Sequence, residues 1–219
     1  MNRQHRLGVL WDMDGVLVDT GELHYVSWKL PLDEAGIPFD REIFRKTFGM
    51  NNAGILAYLL GENPPQGLVQ QISERKEEIF RQSVHGNVHP LPGVIAWLER
   101  LQRQGAGLAV ASSAPSANIE VLVAELKIRS YFDALVSGAD LPGKPDPATF
   151  LAAAQRLEIP PGRCVVVEDA IAGVQGAKTA GMKCIAVTNT NAADALAKAD
   201  LIVDSLEELP DDSFSRLID

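Results

Sequence analysis

Apolar residues in this chain come in short bursts, and the spacing of the bursts changes near residue 88. Leu7-Gly8-Val9-Leu10-Trp11 is a continuous apolar run ended at once by acids. That is the mark of a short buried strand. From 22 to 84 the pattern predicts helices separated by breakers. Glu22–Ala35 carries apolar Leu23, Val26 and Leu30, and Gly36 stops it; Pro31 is expected to disturb its middle. Arg41–Thr47, Ala53–Leu60 and Gln66–Ser83 follow. The last contains Ser73-Glu74-Arg75-Lys76-Glu77-Glu78, expected to be a solvated face laced with i,i+4 pairs.

From His89 onward strands alternate with helices. Pro92-Gly93 opens a helix that runs to about Gln104, where Gly105 ends it. Strands are expected at Leu108–Ala111, Ala134–Val136, Cys164–Val167, Cys184–Val187 and Leu201–Val203. Helices are expected at Ser116–Leu126, at Pro147–Leu157 with Pro in its first turn, and at Ile171–Ala180 before Gly181. Short apolar strands alternating with amphipathic helices predict an α/β fold, a doubly wound, Rossmann-like parallel sheet. The helical stretch after the first strand is then an inserted cap. The expected division is a core of residues 1–19 and 88–219 with a helical cap of 20–87.

Composition sets broad limits. The chain has 219 residues, 46% hydrophobic and 22% charged, which is ordinary globular usage. No apolar run approaches the ~20 residues that span a bilayer. The opening Met1–Arg6 lacks the apolar region of a signal peptide, so a cytoplasmic location is expected. A net charge of −9 without a basic cluster argues against nucleic acid and against an anionic membrane surface. Cys164 and Cys184 border apolar runs and are expected to be buried free thiols.

The candidate chemistry lies where strands end. Ligands of such sheets bind outside the carboxyl ends of the strands. Asp12 and Asp14 end the first strand, Ser112 and Ser113 the second, and Glu168 and Asp169 the fourth, while Lys144 lies in the loop Gly143-Lys144-Pro145-Asp146-Pro147. Close acids repel each other unless a cation joins them. Asp12 with Glu168 and Asp169 can supply the oxygens that magnesium prefers. Lys144 offers a point charge for phosphate oxygens, and the Ser112 side chain with the Gly15 and Ser113 backbone amides offers donors. A carboxylate nucleophile can take up a phosphoryl group, and a second acid can protonate the leaving oxygen.

The motifs Asp12-Met13-Asp14-Gly15-Val16-Leu17-Val18-Asp19, Val110-Ala111-Ser112-Ser113, Gly143-Lys144-Pro145-Asp146-Pro147 and Val167-Glu168-Asp169-Ala170-Ile171-Ala172-Gly173 stand in order along the chain. Together they resemble the haloacid dehalogenase superfamily of phosphohydrolases, near the sugar-phosphate phosphatases and β-phosphoglucomutases that carry a helical cap. The resemblance implies that Asp12 is the nucleophile and a magnesium ligand. It implies that Asp14 is the general acid/base with its backbone carbonyl on the metal, and that Ser112 and Lys144 bind the transferring phosphate. Glu168 and Asp169 would complete the metal site, and Asp19 would be structural. Dehalogenases lack the second acid, so Asp14 favours phosphoryl transfer. His24 matches a histidine of the mutase cap, with a catalytic and a packing role both open.

Departures from the mutase pattern favour a monophosphate phosphatase. The short cap motif Thr47-Phe48-Gly49-Met50-Asn51-Asn52 holds no Lys or Arg, and Pro115 stands where a basic residue is expected. Met50, Asn51 and Asn52 are the candidate substrate contacts from the cap. The expected partner is a small-molecule phosphate ester, bound by a monomer or weak homodimer. A hexose-phosphate mutase and a catalytically inactive phospho-ligand binding module are the alternatives.

Overall fold

The computed structural model describes residues 7–61 and 63–218. The opening Met1–Arg6, read above for targeting, lies outside them. Among the described residues six strands form one parallel sheet. In chain order they are β1 (Gly8–Trp11), β2 (Gly107–Ser112), β3 (Ala134–Ser137), β4 (Cys164–Glu168), β5 (Lys183–Val187) and β6 (Leu201–Val203). The sheet order is β3-β2-β1-β4-β5-β6. The chain therefore winds outward from β1 in one direction, crosses back, and winds outward in the other. β1 lies at the switch, paired on one side with β2 and on the other with β4. That is the doubly wound topology the alternating pattern predicts.

Period-two alternation fixes which face each strand residue covers. Val9 and Trp11 join one apolar cluster, and Leu10 joins the other. In β4, Val165 and Val167 join the first cluster, and Cys164 and Val166 the second. The first cluster is covered by α5 (Val94–Arg103), α6 (Ser116–Glu125) and the short α9 (Ser213–Arg216) through Leu98, Leu101, Leu122 and Phe214. The second is covered by α7 (Ala148–Leu157) and α8 (Ile171–Thr179) through Phe150, Ala153, Val174 and Ala177. Both faces of β1 are thus dry, which explains its uninterrupted apolar run.

Between β1 and β2 come α1 (Gly21–Glu34), α2 (Arg41–Thr47), α3 (Asn52–Leu60) and α4 (Gln66–Val84), then α5. The first four share a separate apolar cluster of Trp28, Leu32, Phe39, Ile55, Leu56 and Ile72. Phe80 and Val84, at the end of α4, join the main core instead. α4 is therefore the element that roots these helices on the sheet domain.

Three expectations need correction here. α1 runs through Pro31 without a break. Pro31 sits in the last turn, so the missing N–H removes a single late helical bond, and its ring is buried. The buried face of α1 is His24, Ser27, Trp28, Pro31 and Leu32, while Val26 and Leu30 are exposed. Trp28 and Leu32 turn toward Ile55, Leu56 and Ile72, and that packing selects the face. On α4 the charge run is not wholly solvated: Lys76 and Glu77 are buried, whereas Glu74, Arg75 and Glu78 are exposed.

Cys164 and Cys184 are free and fully buried. Val166, not Cys164, is the register partner of Cys184, which places the two thiols on adjacent strands two positions apart. Burial pushes the Cys164 thiol up to about 12. Burial, with Glu168 and Asp200 nearby, pushes Cys184 higher still. The nucleophilic thiolate is thus suppressed at neutral pH. Ellman's reagent at pH 8 should modify the folded protein at least ~100-fold more slowly than the guanidinium-unfolded chain. Rapid labelling of either thiol in the folded state would contradict this burial.

Candidate active site

Every core residue of the candidate site leaves the sheet at a strand's carboxyl end. Asp12 follows β1, Ser112 closes β2, and Glu168 closes β4 with Asp169 directly after it. Lys144 arrives from the loop between β3 and α7. Its ammonium donates to Asp12 Oδ1 and to Glu168 Oε1, each at 2.6 Å. Ligating oxygens of Asp12, Glu168 and Asp169 all lie within 4.8 Å of one another. All four side chains are buried.

The electrostatics follow from that crowding. Burial disfavours the charge on Asp12; Lys144 opposes this, while Glu168 and Asp14 add repulsion, and the carboxyl is pushed up to about 7. Burial and the neighbouring Glu168 and Asp12 likewise push Asp169 well above the usual carboxylate range. Burial works against the Lys144 ammonium, but Asp12 and Glu168 outweigh it and raise its proton affinity. Three carboxyls thus share one ammonium in a dry place. A hard divalent cation fits this oxygen-only donor set and relieves its repulsion.

Glu168 has a second task. Its Oε2 accepts from the backbone N–H groups of Asp169 and Ala170, at 2.8 and 2.7 Å, at the entry to α8. Two glycines make room for the carboxylates. A Cβ on Gly173 would overlap the Glu168 carboxylate, and one on Gly15 would overlap that of Asp169. Gly15 also adopts φ +84°, a left-handed conformation that glycine takes without strain.

Asp14 points elsewhere. Its side chain lies outside the three-carboxylate cluster. It accepts from the Thr20 hydroxyl and faces His24 Nε2 at 3.1 Å. Burial opposes its charge, but His24, Thr20 and the more distant Lys76 together hold the carboxyl below its ordinary value. His24 stacks on Phe80, centroid to centroid 4.0 Å. Both roles left open for His24 are therefore compatible with its position: it packs, and it touches the second acid.

Asp12, Asp14, His24, Ser112 and Ser113 line one pocket with Trp28, Phe48, Met50, Asn52, Lys76 and Glu77. Its free cavity is about 40 Å³. That accommodates a water or two and nothing of sugar size. Ser112 Oγ faces its own turn, accepting the Ala114 N–H at 3.1 Å.

Two sequence candidates are engaged differently from expectation. The Gly15 N–H donates to the Val18 carbonyl at 2.8 Å. Gly15 lines a neighbouring cleft with Arg45 and Asn189–Asn191, so it shapes the turn rather than offering a free amide to phosphate. Asn51 caps α3 by accepting the Gly54 N–H at 2.9 Å and reaches the Leu141 carbonyl at 3.3 Å. It ties the helices to a core loop and does not line the pocket. Asn52 does line it, donating to Glu77 Oε1 at 2.8 Å.

Other residues escaped the sequence reading. Thr190 donates to Asp169 Oδ2, Asn191 to the Asp169 carbonyl at 3.0 Å, and Asn189 to the Gly15 carbonyl at 2.8 Å. The signal was present: Thr188–Asn191 is a polar run just beyond a strand's carboxyl end. Lys76, Glu77 and Asn118 carried no such signal, because helical periodicity does not mark a buried ion pair.

The model of the haloacid dehalogenase-like hydrolase family matches residues 9–187. A chloroplastic 5-amino-6-(5-phospho-D-ribitylamino)uracil phosphatase of Arabidopsis thaliana is 32% identical over 226 residues, covering 99% of this chain and 60% of that protein. The β-phosphoglucomutase of Bacillus subtilis is 31% identical over 210 residues, 92% of this chain and 90% of that one. Among solved structures, CbbY from Rhodobacter sphaeroides in complex with xylulose-(1,5)bisphosphate superimposes with a TM-score of 0.84 at 28% identity, covering 93% of this chain and 96% of that one. The ordered motifs, the doubly wound sheet and these matches agree, and the chain belongs to the haloacid dehalogenase-like hydrolase family.

Proposed function

We propose that this protein is a phosphatase that hydrolyses a small phosphate monoester through a phospho-Asp12 intermediate. The observation that carries the reading is the single Lys144 ammonium held between Asp12 and Glu168, with Asp169 beside them, at the switch point of the sheet. One carboxylate there is positioned to attack, and a cation stands ready for the charge that develops on phosphate oxygens.

In the first half-reaction an Asp12 oxygen attacks phosphorus, and the ester P–O bond breaks. Asp14 gives its proton to the departing oxygen. Asp14 is held ionised at rest, so the negative charge of an arriving phosphate helps it take up that proton. In the second half-reaction Asp14 takes a proton from water. The water oxygen attacks phosphorus, the bond to Asp12 breaks, and inorganic phosphate leaves. Ser112 and Lys144 hold the transferring group. Magnesium, held by Asp12, Glu168, Asp169 and the Asp14 backbone carbonyl, would neutralise carboxylate and phosphate charge together.

In this reading residues 20–87 are a cap over a core of 1–19 and 88–219. The free cavity of about 40 Å³ is small beside a sugar phosphate, and in this reading the cap opens for entry and closes for chemistry. Closure excludes water from the first step and strengthens every charge interaction within.

A mutase is the second reading, favoured by the similarity to the Bacillus β-phosphoglucomutase. Phosphate release from a panel of monoesters, with sugar 1-phosphates watched for isomerised product, separates the two. Free phosphate supports the phosphatase; isomerisation with little phosphate overturns it.

Asp12→Asn should lower turnover roughly 10³-fold or more while melting stays cooperative. Chelation of divalent metal should abolish wild-type turnover, and added magnesium should restore it. Retained activity in either experiment refutes the mechanism. Gly173→Ala should displace the Glu168 carboxylate without touching substrate, cutting kcat/KM about 10–100-fold and weakening metal dependence alike. Magnesium titration of activity in that variant checks it.

A further inference from the structure

The pocket contains a cation that the cap-motif reading did not anticipate. Lys76 is buried on α4 and lines the pocket with Asp12 and Asp14. Taken alone it would be an anchor for a second anionic group on the substrate. It is not alone. Its ammonium is 2.8 Å from Glu77 Oε1 and lies over the rings of Trp28 and Phe80, 5.3 Å from each centroid.

Glu77 is in turn held from two sides. Asn52 on α3 donates to Oε1 at 2.8 Å, and Asn118 on α6 donates to Oε2. Arg81 donates to Asn118 Oδ1 at 3.1 Å, which directs the Asn118 amide nitrogen at the carboxylate. Three residues on three helices thus fix one carboxylate against one ammonium. A buried charge pair this completely bonded is rigid, and breaking it strands a charge.

The consequence is a charge balance. The other titratable groups lining the pocket are Asp12, Asp14 and the His24 that faces Asp14. Lys144 and a bound divalent cation serve the transferring phosphate. Among the described residues lining this pocket, a second phosphate would meet Asp14 and Glu77 with no Lys or Arg other than the engaged Lys76, and Arg45 lines the neighbouring cleft instead. The remaining wall is apolar and aromatic, with Trp28, Phe44, Phe48, Met50 and Ile55. Such a wall suits the C–H face of an uncharged polyol.

We propose that Glu77 is the selectivity residue of this pocket. By occupying Lys76 it denies that cation to a second phosphate and restricts the substrate to monoesters whose leaving group is uncharged and hydroxylated. The proposal rests on the phosphatase reading of the same site and adds the class of ester it takes.

The test compares fructose 1-phosphate with fructose 1,6-bisphosphate, and glucose 6-phosphate with glucose 1,6-bisphosphate, in magnesium buffer. The wild type should favour the monophosphate of each pair in kcat/KM. In Glu77→Gln the ratio of bisphosphate to monophosphate should rise tenfold or more, carried by KM for the bisphosphate. Adding Lys76→Met to Glu77→Gln should return the ratio toward the wild-type value, because the gain belongs to the freed ammonium. A general packing defect would lower both substrates together and leave the ratio in place. An unchanged ratio in folded Glu77→Gln overturns the proposal, as does a wild type that prefers the bisphosphates, which needs no variant to fold. If the wild type releases phosphate from none of these esters, the phosphatase reading fails for them. Calorimetric affinities for the same pairs then decide the selectivity: tighter monophosphate binding supports it, and tighter bisphosphate binding overturns it.

Discussion

The structure turns on one unequal charge balance: three buried carboxyls at the switch point of the sheet face a single ammonium. Asp12, Glu168 and Asp169 crowd together, and Lys144 reaches two of them. Isolated buried charge is costly, so burial and mutual repulsion raise the proton affinity of Asp12 and Asp169, and a divalent cation fits the same oxygens in place of those protons. The parallel topology makes the crowding possible. β1 lies between β2 and β4, so the carboxyl ends of all three open onto one point. Backbone geometry then does the fine work. Gly15 and Gly173 leave the space that Asp169 and Glu168 occupy, and the N–H groups entering α8 hold Glu168 in place.

The helical insert answers the core with a second ion pair. Lys144 pairs with Asp12 and Glu168 at the sheet, and Lys76 with Glu77 on α4 lines the pocket into which Asp12 also opens. Between them Asp14 is held by Thr20 and His24, both at the start of the insert. The second acid is therefore tied to the helical insert rather than to the three-carboxylate cluster. Any movement of α1 moves the contacts that set its proton affinity.

Most of the core was legible because parallel strands and their helices obey simple periodicities. β6 matches its expected span, and β1, β2, β4 and β5 differ from theirs by one residue at one or both ends. The motif residues could be placed because their positions after strands have one topological meaning. The insert was less legible. On α1 the apolar residues chosen from sequence were Leu23, Val26 and Leu30, yet the helix buries Trp28 and Leu32 against its neighbours. Hydrophobicity says that a face exists, but the partner decides which one. Lys76 and Glu77 failed for a deeper reason. A charged pair in a run of charges looks solvated, and only tertiary packing from Trp28, Phe80, Asn52 and Asn118 reveals otherwise.

The residues expected to touch substrate whose hydrogen-bonding groups are already engaged within the fold are equally informative. Asn51 and Gly15 each carry good hydrogen-bonding groups, and each has them engaged within the fold. A donor already paired at good geometry offers a ligand little, since a new bond must replace an old one. The groups left to meet a substrate are those whose partners are themselves charged and crowded, where an arriving phosphate and cation relieve repulsion instead of competing with a satisfied bond. By that criterion Asp12, Asp14 and Lys144 outrank every polar side chain that the short cap motif supplies. The insert brings to the pocket that Asp12 and Asp14 line an apolar and aromatic wall and one buried ion pair, Lys76 with Glu77.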